Sequence, residues 1–323
     1  MAIVSYKGFN LDMTCHGFQY KEGGSYEIDN VYLCRKGFHG CEHPNDVLGY
    51  YLPSRSVYHK VIHSGQIEKS INDSKLASTN ITIKEPLSIT DMAKGAMYIA
   101  EDNSKEMSPL DYETVSSDAD LTYVYSGGMR SIASASGRKC ATHSDGSMGA
   151  SITTASCSTS YSDCSDSISA STGDWSLSCS KGERCVACTT GDESATECKG
   201  YRSMSCSTGN DCHSSSTNAR SAALTIGDNS YASTDGSKST AIVVGRRSCA
   251  SVGVSGSLAV AFGEDSCAKG VKGSLLLLTE WFGNSSVPKY KIVYVDGEII
   301  KENTAYALIN NVVVEVNPWG DRR

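Results

Sequence analysis

Written in rows of nine from Gly128, the chain keeps one register to about Val271 without insertion or deletion, and twelve of the sixteen rows begin with glycine. A period this strict marks a repeat architecture and restricts the middle of the chain to a solenoid. The fourth position of each row is Ser or Cys, apart from Gly149. The sixth is Ala, Ser or Thr throughout, from Ala133 to Ala268, and the eighth is nearly as small. Side chains alternate along a strand, so positions four, six and eight share one face. If the other face pointed inward, the interior would hold His143, Tyr161, Glu197, His213 and Lys269. Buried without partners, such groups are costly. The small face therefore lines a thin interior, where serine hydroxyls bond each other or turn backbone and cysteines act as small fillers. Glycine at position one reads as the residue that permits the turn between strands.

The outward positions five and seven fall into two series. In alternate rows they are apolar: Ile132, Ile152, Ile168, Val186, Met204, Leu224, Ile242, Leu258 and Val260, with the register extended to Leu276 and Leu278. In the other rows they are mixed, from Ala141 and His143 to Cys267 and Lys269. The true period is thus eighteen, with two strands per coil. Eight coils at the usual strand spacing make a rod of roughly 40 Å with one continuous apolar wall. A stripe of this length is too large to face water on a monomer. The eleven apolar residues are the expected oligomer interface, since a regular stripe pairs most readily with its own repeat. The alternative is that residues 70–127 fold back over the stripe.

The fold expected is mainly β, a nine-residue-repeat solenoid over 128–271 with a small α+β domain at 1–70. Residues 71–127 read as a helix and linker capping the solenoid, and 272–323 as a C-terminal β-hairpin cap. Ser88 with Asp91 forms a capping box for a helix to about Glu101, proposed to cover the solenoid's open end. The acidic, Ser-rich stretch 102–120 reads as linker. Val57–Ile62 reads as a strand, and Asn45 or Asp46 starts a short helix through Tyr51. At the C-terminal end, Lys289–Val295 and Glu298–Lys301 read as strands joined at Asp296-Gly297, and Tyr306–Ile309 and Val312–Val316 as strands joined at Asn310-Asn311.

Composition narrows the function. Net charge is −7 and no basic run tracks a phosphate backbone, so no nucleic acid is expected. No apolar run reaches the length of a membrane span. The N-terminus shows no charged leader before an apolar stretch, so no signal peptide is expected and the 14 cysteines read as thiols in a reducing compartment. The inward positions lack the aspartates of a calcium-binding roll, and no phosphate-binding glycine loop occurs. Cys34, His39, Cys41 and His43 are zinc ligands by type, but their spacing matches no common finger, and they read as buried thiols with turn histidines. No cofactor, metal site or catalytic residue is assigned.

Gly236-Ser-Lys-Ser-Thr-Ala-Ile-Val-Val-Gly245 and Gly256-Ser-Leu-Ala-Val-Ala-Phe-Gly263 resemble the head repeats of trimeric adhesins. The resemblance covers roughly residues 128–280 and implies a homotrimer, favoured over a dimer, with the aliphatic walls on a common axis. The period of nine is shorter than the adhesin repeat. Lys7-Gly8-Phe9, Cys15-His16-Gly17-Phe18-Gln19-Tyr20 and Gly37-Phe38-His39-Gly40-Cys41-Glu42-His43-Pro44-Asn45-Asp46-Val47-Leu48-Gly49-Tyr50-Tyr51 resemble an uncharacterised module of phage and prophage proteins. That resemblance implies a chain in the bacterial cytoplasm or the virion, with a host protein as a further partner. His39, Tyr50 and Tyr51 are the candidate binding residues. The expected role is a self-associating stalk that presents the N-terminal domain. Two alternatives stand beside it. One is a phage-encoded effector binding a host protein or nucleotide. The other is an enzyme, since the strand, Gly-Phe, short helix with paired Tyr and second strand resemble ADP-ribosyltransferase-like folds, without the Arg, Ser-Thr-Ser and Glu set.

Overall fold

A computed structural model of the chain describes residues 2–71, 73–281 and 287–319. It is mainly β, with a solenoid of ten coils rather than eight. Each coil gives one strand to each of two parallel sheets. One sheet runs from Ser104–Ser108 to Cys267–Gly270 and the other from Thr114–Ser117 to Leu275–Glu280. Paired residues in neighbouring coils are eighteen apart, as in Ile132 with Ala150 and Thr240 with Leu258. The acidic stretch read as linker is therefore the first coil: Thr122–Ser126 pairs back on Ser104–Ser108, and Ile132–Ala135 on Thr114–Ser117. Its exposed polar side chains hid the strand period there.

The small face does point inward. Ser203, Ser205 and Ser207 are buried while Met204 is exposed, and the alternation repeats coil after coil. The interior changes character along the rod. In the N-terminal half hydroxyls meet directly, as Ser160 Oγ and Ser169 Oγ at 2.9 Å and Thr196 Oγ1 with Ser214 Oγ at 3.0 Å. In the C-terminal half Ala241, Val243, Val252, Leu276 and Leu278 form an aliphatic core.

Position four builds a second, regular ladder. The Ser203 amide donates to Ser221 Oγ at 3.2 Å, and that hydroxyl donates to Gly200 O at 3.1 Å. The same pair of bonds recurs at Ser230, Ser239, Ser248 and Ser257. Where Cys replaces Ser, the thiol still donates to the carbonyl beneath, at 3.0 Å for Cys140, 2.9 Å for Cys185 and 3.2 Å for Cys212.

The turns hold two left-handed positions. The third residue of the row is one, from Arg130, Lys139 and Met148 to Arg247 and Asp265, with φ between 53 and 60°, and Gly256 at 74°. Glycine at position one is the other in alternate rows, as expected, at Gly173, Gly191, Gly209, Gly227 and Gly245, with φ from 108 to 147°. Position one also serves close stacking. A Cβ on Gly200 would stand 1.7 Å from Gly182 O, and one on Gly236 2.0 Å from Asn218 O.

The N-terminal domain is an antiparallel sheet in the order Ser25–Glu27, Lys75–Leu87, Phe38–Cys41, Ile3–Asn10, Ser56–Lys69. Ser56–Lys69 also pairs with Lys75–Leu87, so the sheet closes on itself. The segment after residue 70 thus supplies a central strand of this domain. Pro44–Val47 is a single 3-10 turn.

Helix α1, Ile89–Asn103, begins at the expected capping box on Ser88 and Asp91. It does not close the solenoid's end. It lies along the side of the first-named sheet, against strands from Ser104–Ser108 to Ala195–Cys198. At the far end, Lys289–Tyr294 extends the other sheet antiparallel to Leu275–Glu280, and Tyr306–Ile309 pairs with Val312–Glu315 through Asn310-Asn311. Glu298–Lys301 is not a strand. Asp296 Oδ1 instead accepts the amides of Glu298, Ile299 and Ile300, a local turn that outcompetes the expected hairpin.

Candidate functional site

Two surfaces carry the candidate residues. The first is the outer face of the sheet that ends at Leu275–Glu280, here the open face. Ile132, Ile152, Ile168, Val186, Met204, Leu224, Ile242, Leu258 and Val260 all point outward on it and are at least partly exposed, Ile168 to 50% and Met204 to 40%. Leu276 and Leu278 do not belong to it: both are fully buried. The last step is seventeen residues, pairing Leu258 with Leu275 and Val260 with Leu277. The turn before it is one residue shorter, with Gly273 at positive φ, so the register slips and every side chain changes face. Leu275 and Leu277 take the outward places.

Residues 70–127 do not cover this stripe. Among the described residues, the N-terminal domain and α1 pack on the opposite sheet and its adjoining turns. The mixed series, not the apolar one, is the docking surface. Tyr161, Leu177, Cys179 and Ala195 are buried against Val47, Leu48, Tyr58, Ile89, Met92 and Ala93. Glu197, one of the five groups costly to bury without partners, accepts the amide and hydroxyl of Thr90 in the first turn of α1, each at 2.7 Å, and Lys199 lies 3.4 Å from it. A carboxylate there meets the positive end of the helix. Asn45 Nδ2 donates to Ser158 O and Thr159 Oγ1, both at 3.2 Å. Lys139 Nζ reaches Asp46 at 2.8 Å. Burial works against the Asp46 charge, but the Lys139 and Ser74 hydrogen bonds prevail and hold its pKa below the usual range. His43, beside this pair, is pushed down by burial.

The second surface is an open cleft of about 1440 Å³ in the N-terminal domain, and His39, Tyr50 and Tyr51 all line it. Their roles differ. Tyr51 is part of the cleft's framework: its hydroxyl donates to Cys15 Sγ at 2.7 Å, and its ring packs in the core. Tyr50 is half exposed and holds Asp73 through its hydroxyl, with Lys75 Nζ at 3.2 Å. His39 accepts the Cys34 amide at 3.1 Å, and burial, with nearby Lys7, lowers its pKa.

Lys7, which sequence reasoning passed over, lies at the cleft with little exposed surface. Its Nζ donates to His39 O at 3.0 Å and lies 3.5 Å from Cys15 Sγ, among the rings of Phe9, Tyr20 and Tyr51. Burial lowers its pKa. The signal was present in the strand Ile3–Asn10, where Lys7 falls on the inward face with Ser5 and Phe9. Lys7, Arg35, Lys36 and Lys75 line the cleft against a single acid, Glu27. In a chain of net charge −7, this lining of rings and cations suits an anionic ligand with a flat ring.

Cys34, His39, Cys41 and His43 do not converge. Among the described residues no group of three metal-ligand side chains is brought together, and burial pushes Cys41 up to about 12.

No curated protein and no solved structure matches the chain. Residues 3–95 match the family model described as a domain of unknown function, DUF7666, which takes in the closed sheet, the cleft and the first half of α1.

Proposed function

We propose that the chain is a self-associating structural protein of phage or prophage origin, a rod that pairs with its own copies through the open face and presents the N-terminal cleft from the opposite side. The observation that carries this is the division of labour between the two sheets. The chain spends its own N-terminal domain on the mixed sheet and leaves the aliphatic one to solvent. Ten coils at strand spacing, each about five residues wide, make a face of ~700 Å², close to one partner's share of a standard protein interface. The adhesin-like repeats favour a trimer over a dimer.

The test is solution mass by light scattering. The expected result is a mass near three times 34.4 kDa, or twice for a dimer. The combined variant Ile168→Asp, Met204→Asp and Leu224→Asp is expected to run as a monomer with unchanged far-UV circular dichroism. A wild-type chain that stays at 34.4 kDa over a wide concentration range refutes the proposal.

A further inference from the structure

At mid-rod the two edges of the solenoid carry opposite charge, although the acidic edge is flanked by Arg138, Lys139, Arg246 and Arg247 and the basic edge by Asp166. Each coil has two turns, one at each edge of the open face. Over four consecutive coils the turns at one edge are Gly182-Glu183-Arg184, Gly200-Tyr201-Arg202, Asn218-Ala219-Arg220 and Gly236-Ser237-Lys238. The turns at the other edge are Gly173-Asp174-Trp175, Gly191-Asp192-Glu193, Gly209-Asn210-Asp211 and Gly227-Asp228-Asn229. The first edge has four bases and one acid, while the second has five acids and no base.

Eighteen-residue spacing places like charges about 4.8 Å apart along each edge. On the acidic edge the chain relieves part of this: Trp175 Nε1 donates to Glu193 at 2.8 Å, and Arg55 of the docked N-terminal domain faces Asp211. Arg184 pairs with Asp166 at 2.6 Å, and Arg246 with Asp228 at 2.9 Å. Among the described residues, Arg202, Arg220 and Lys238 are in no ion pair, and Arg202 and Arg220 lie about one Tyr201 ring, at 5.2 and 5.8 Å. On the acidic edge, one oxygen of Asp174 and of Asp192 takes the amide of the next coil, at 2.9 and 2.7 Å.

We infer that copies of this chain associate with their rods parallel and in register, the basic edge of one against the acidic edge of the next. This rests on the self-association proposed above. Two copies facing each other through the open face have two orientations. A twofold axis along the rods, or a threefold axis, brings each basic edge to an acidic edge. A twofold axis across the rods turns one copy end over end and sets basic on basic and acidic on acidic. The charged stretch sits near mid-rod, so the antiparallel arrangement superposes like charges along most of their length. The occupant is thus a second copy of the same chain, and the edges select its direction.

The test joins mass with cross-linking on the full chain. Sedimentation is measured across salt, since exposed charge pairs weaken as the screening length shortens. The expected result is at least about a tenfold rise in dissociation constant between low and high salt. Arg202→Glu, Arg220→Glu and Lys238→Glu together are expected to cause a similar loss at low salt. Glu193 occupies the same turn position at φ 55°, so glutamate is tolerated there. Asp174→Asn, Asp192→Asn and Asp228→Asn together remove three of the five acids while keeping the amide ladder, because Asn210 already takes the Asp228 amide at 2.9 Å. This variant is expected to weaken assembly as well. In a mixture of isotopically light and heavy chains, carbodiimide is expected to join Lys238 of one copy to Asp228 of another. An assembly that ignores salt and both variants, or whose intermolecular links place the same end of the rods at opposite ends, overturns this inference and leaves self-association standing. A chain that is monomeric under every condition overturns both.

Discussion

Ser221→Ala isolates the rung that holds one coil on the next. The Ser221 hydroxyl takes the Ser203 amide at 3.2 Å and gives its proton to Gly200 O at 3.1 Å, and Ser203 and Ser221 are both buried. The methyl group of alanine does neither. Two ordinary hydrogen bonds are worth ~1 kcal/mol each, and a buried amide left without an acceptor adds to the loss, so the cost is about 2–3 kcal/mol. Ser221→Cys is expected to cost about half as much, because a thiol keeps the proton donation that Cys140, Cys185 and Cys212 make while accepting poorly. Coils of a solenoid can open locally, so the sharper assay is amide exchange at Ser203, supported by urea unfolding. The expected result is faster exchange at Ser203 in the alanine variant by on the order of 30-fold, with the amide of Ser248 unaffected. Unchanged protection at Ser203 with less than about 0.5 kcal/mol lost would refute the reasoning, because the serine column would then be filler.

Three further outcomes follow from other parts of the structure. Arg247 sits at φ 53°, exposed and left-handed, so Arg247→Gly is expected to raise the melting temperature and Arg247→Val to lower it, each by about 1 kcal/mol in stability. Glu197→Ala removes both acceptor contacts to Thr90; it is expected to cost about 3 kcal/mol and to expose α1 to limited proteolysis, whereas Glu197→Gln retains the docked helix. His63 is fully buried, and burial lowers its pKa from 6.5 to about 3. The folded chain therefore binds fewer protons than the unfolded one between those values. The contribution is complete above pH 6.5 and is lost as pH falls toward 3, on the order of 5 kcal/mol in all. His63→Gln is expected to flatten that acid limb in a series of melting curves, and an unchanged limb would mean other groups carry it.

The solenoid was legible because its rule is local and repeated: alternation and an eighteen-residue period are visible in Ser, Ala and Gly without knowledge of any partner element. The same rule failed where a single residue was lost. The register at Leu276 and Leu278 depends on a short turn at Gly273, which period alone does not reveal. The first coil was missed because Ser104–Ser108 and Thr114–Ser117 carry exposed polar side chains, and the strands are held by pairing with the next coil. The docking surface was out of reach for a different reason. Tyr161, Leu177 and Glu197 look mismatched as one column, and make sense only against α1 and the turn at Val47, distant in sequence. In the cleft, Tyr50 and His39 were found by residue type, but Lys7 needed the closed sheet to bring it beside Cys15.

The placement of the N-terminal domain divides the rod into a part whose length is fixed and a part whose length is free. From Thr159 to Glu197 each coil meets a particular partner, so losing one there would shift Asn45, Val47 and Thr90 against the wrong residues. Beyond His213 the coils answer mainly to their neighbours above and below, through the serine rungs and the glycine stack. Duplicating one coil's worth of coding sequence in that region would lengthen the rod by one strand spacing and keep the contacts from Thr159 to Glu197, while drawing the C-terminal cap away from Pro53 and Ser54, with which it lines a cavity. The chain is therefore built to vary in reach by whole steps, growing at one end while its head stays fastened at the other.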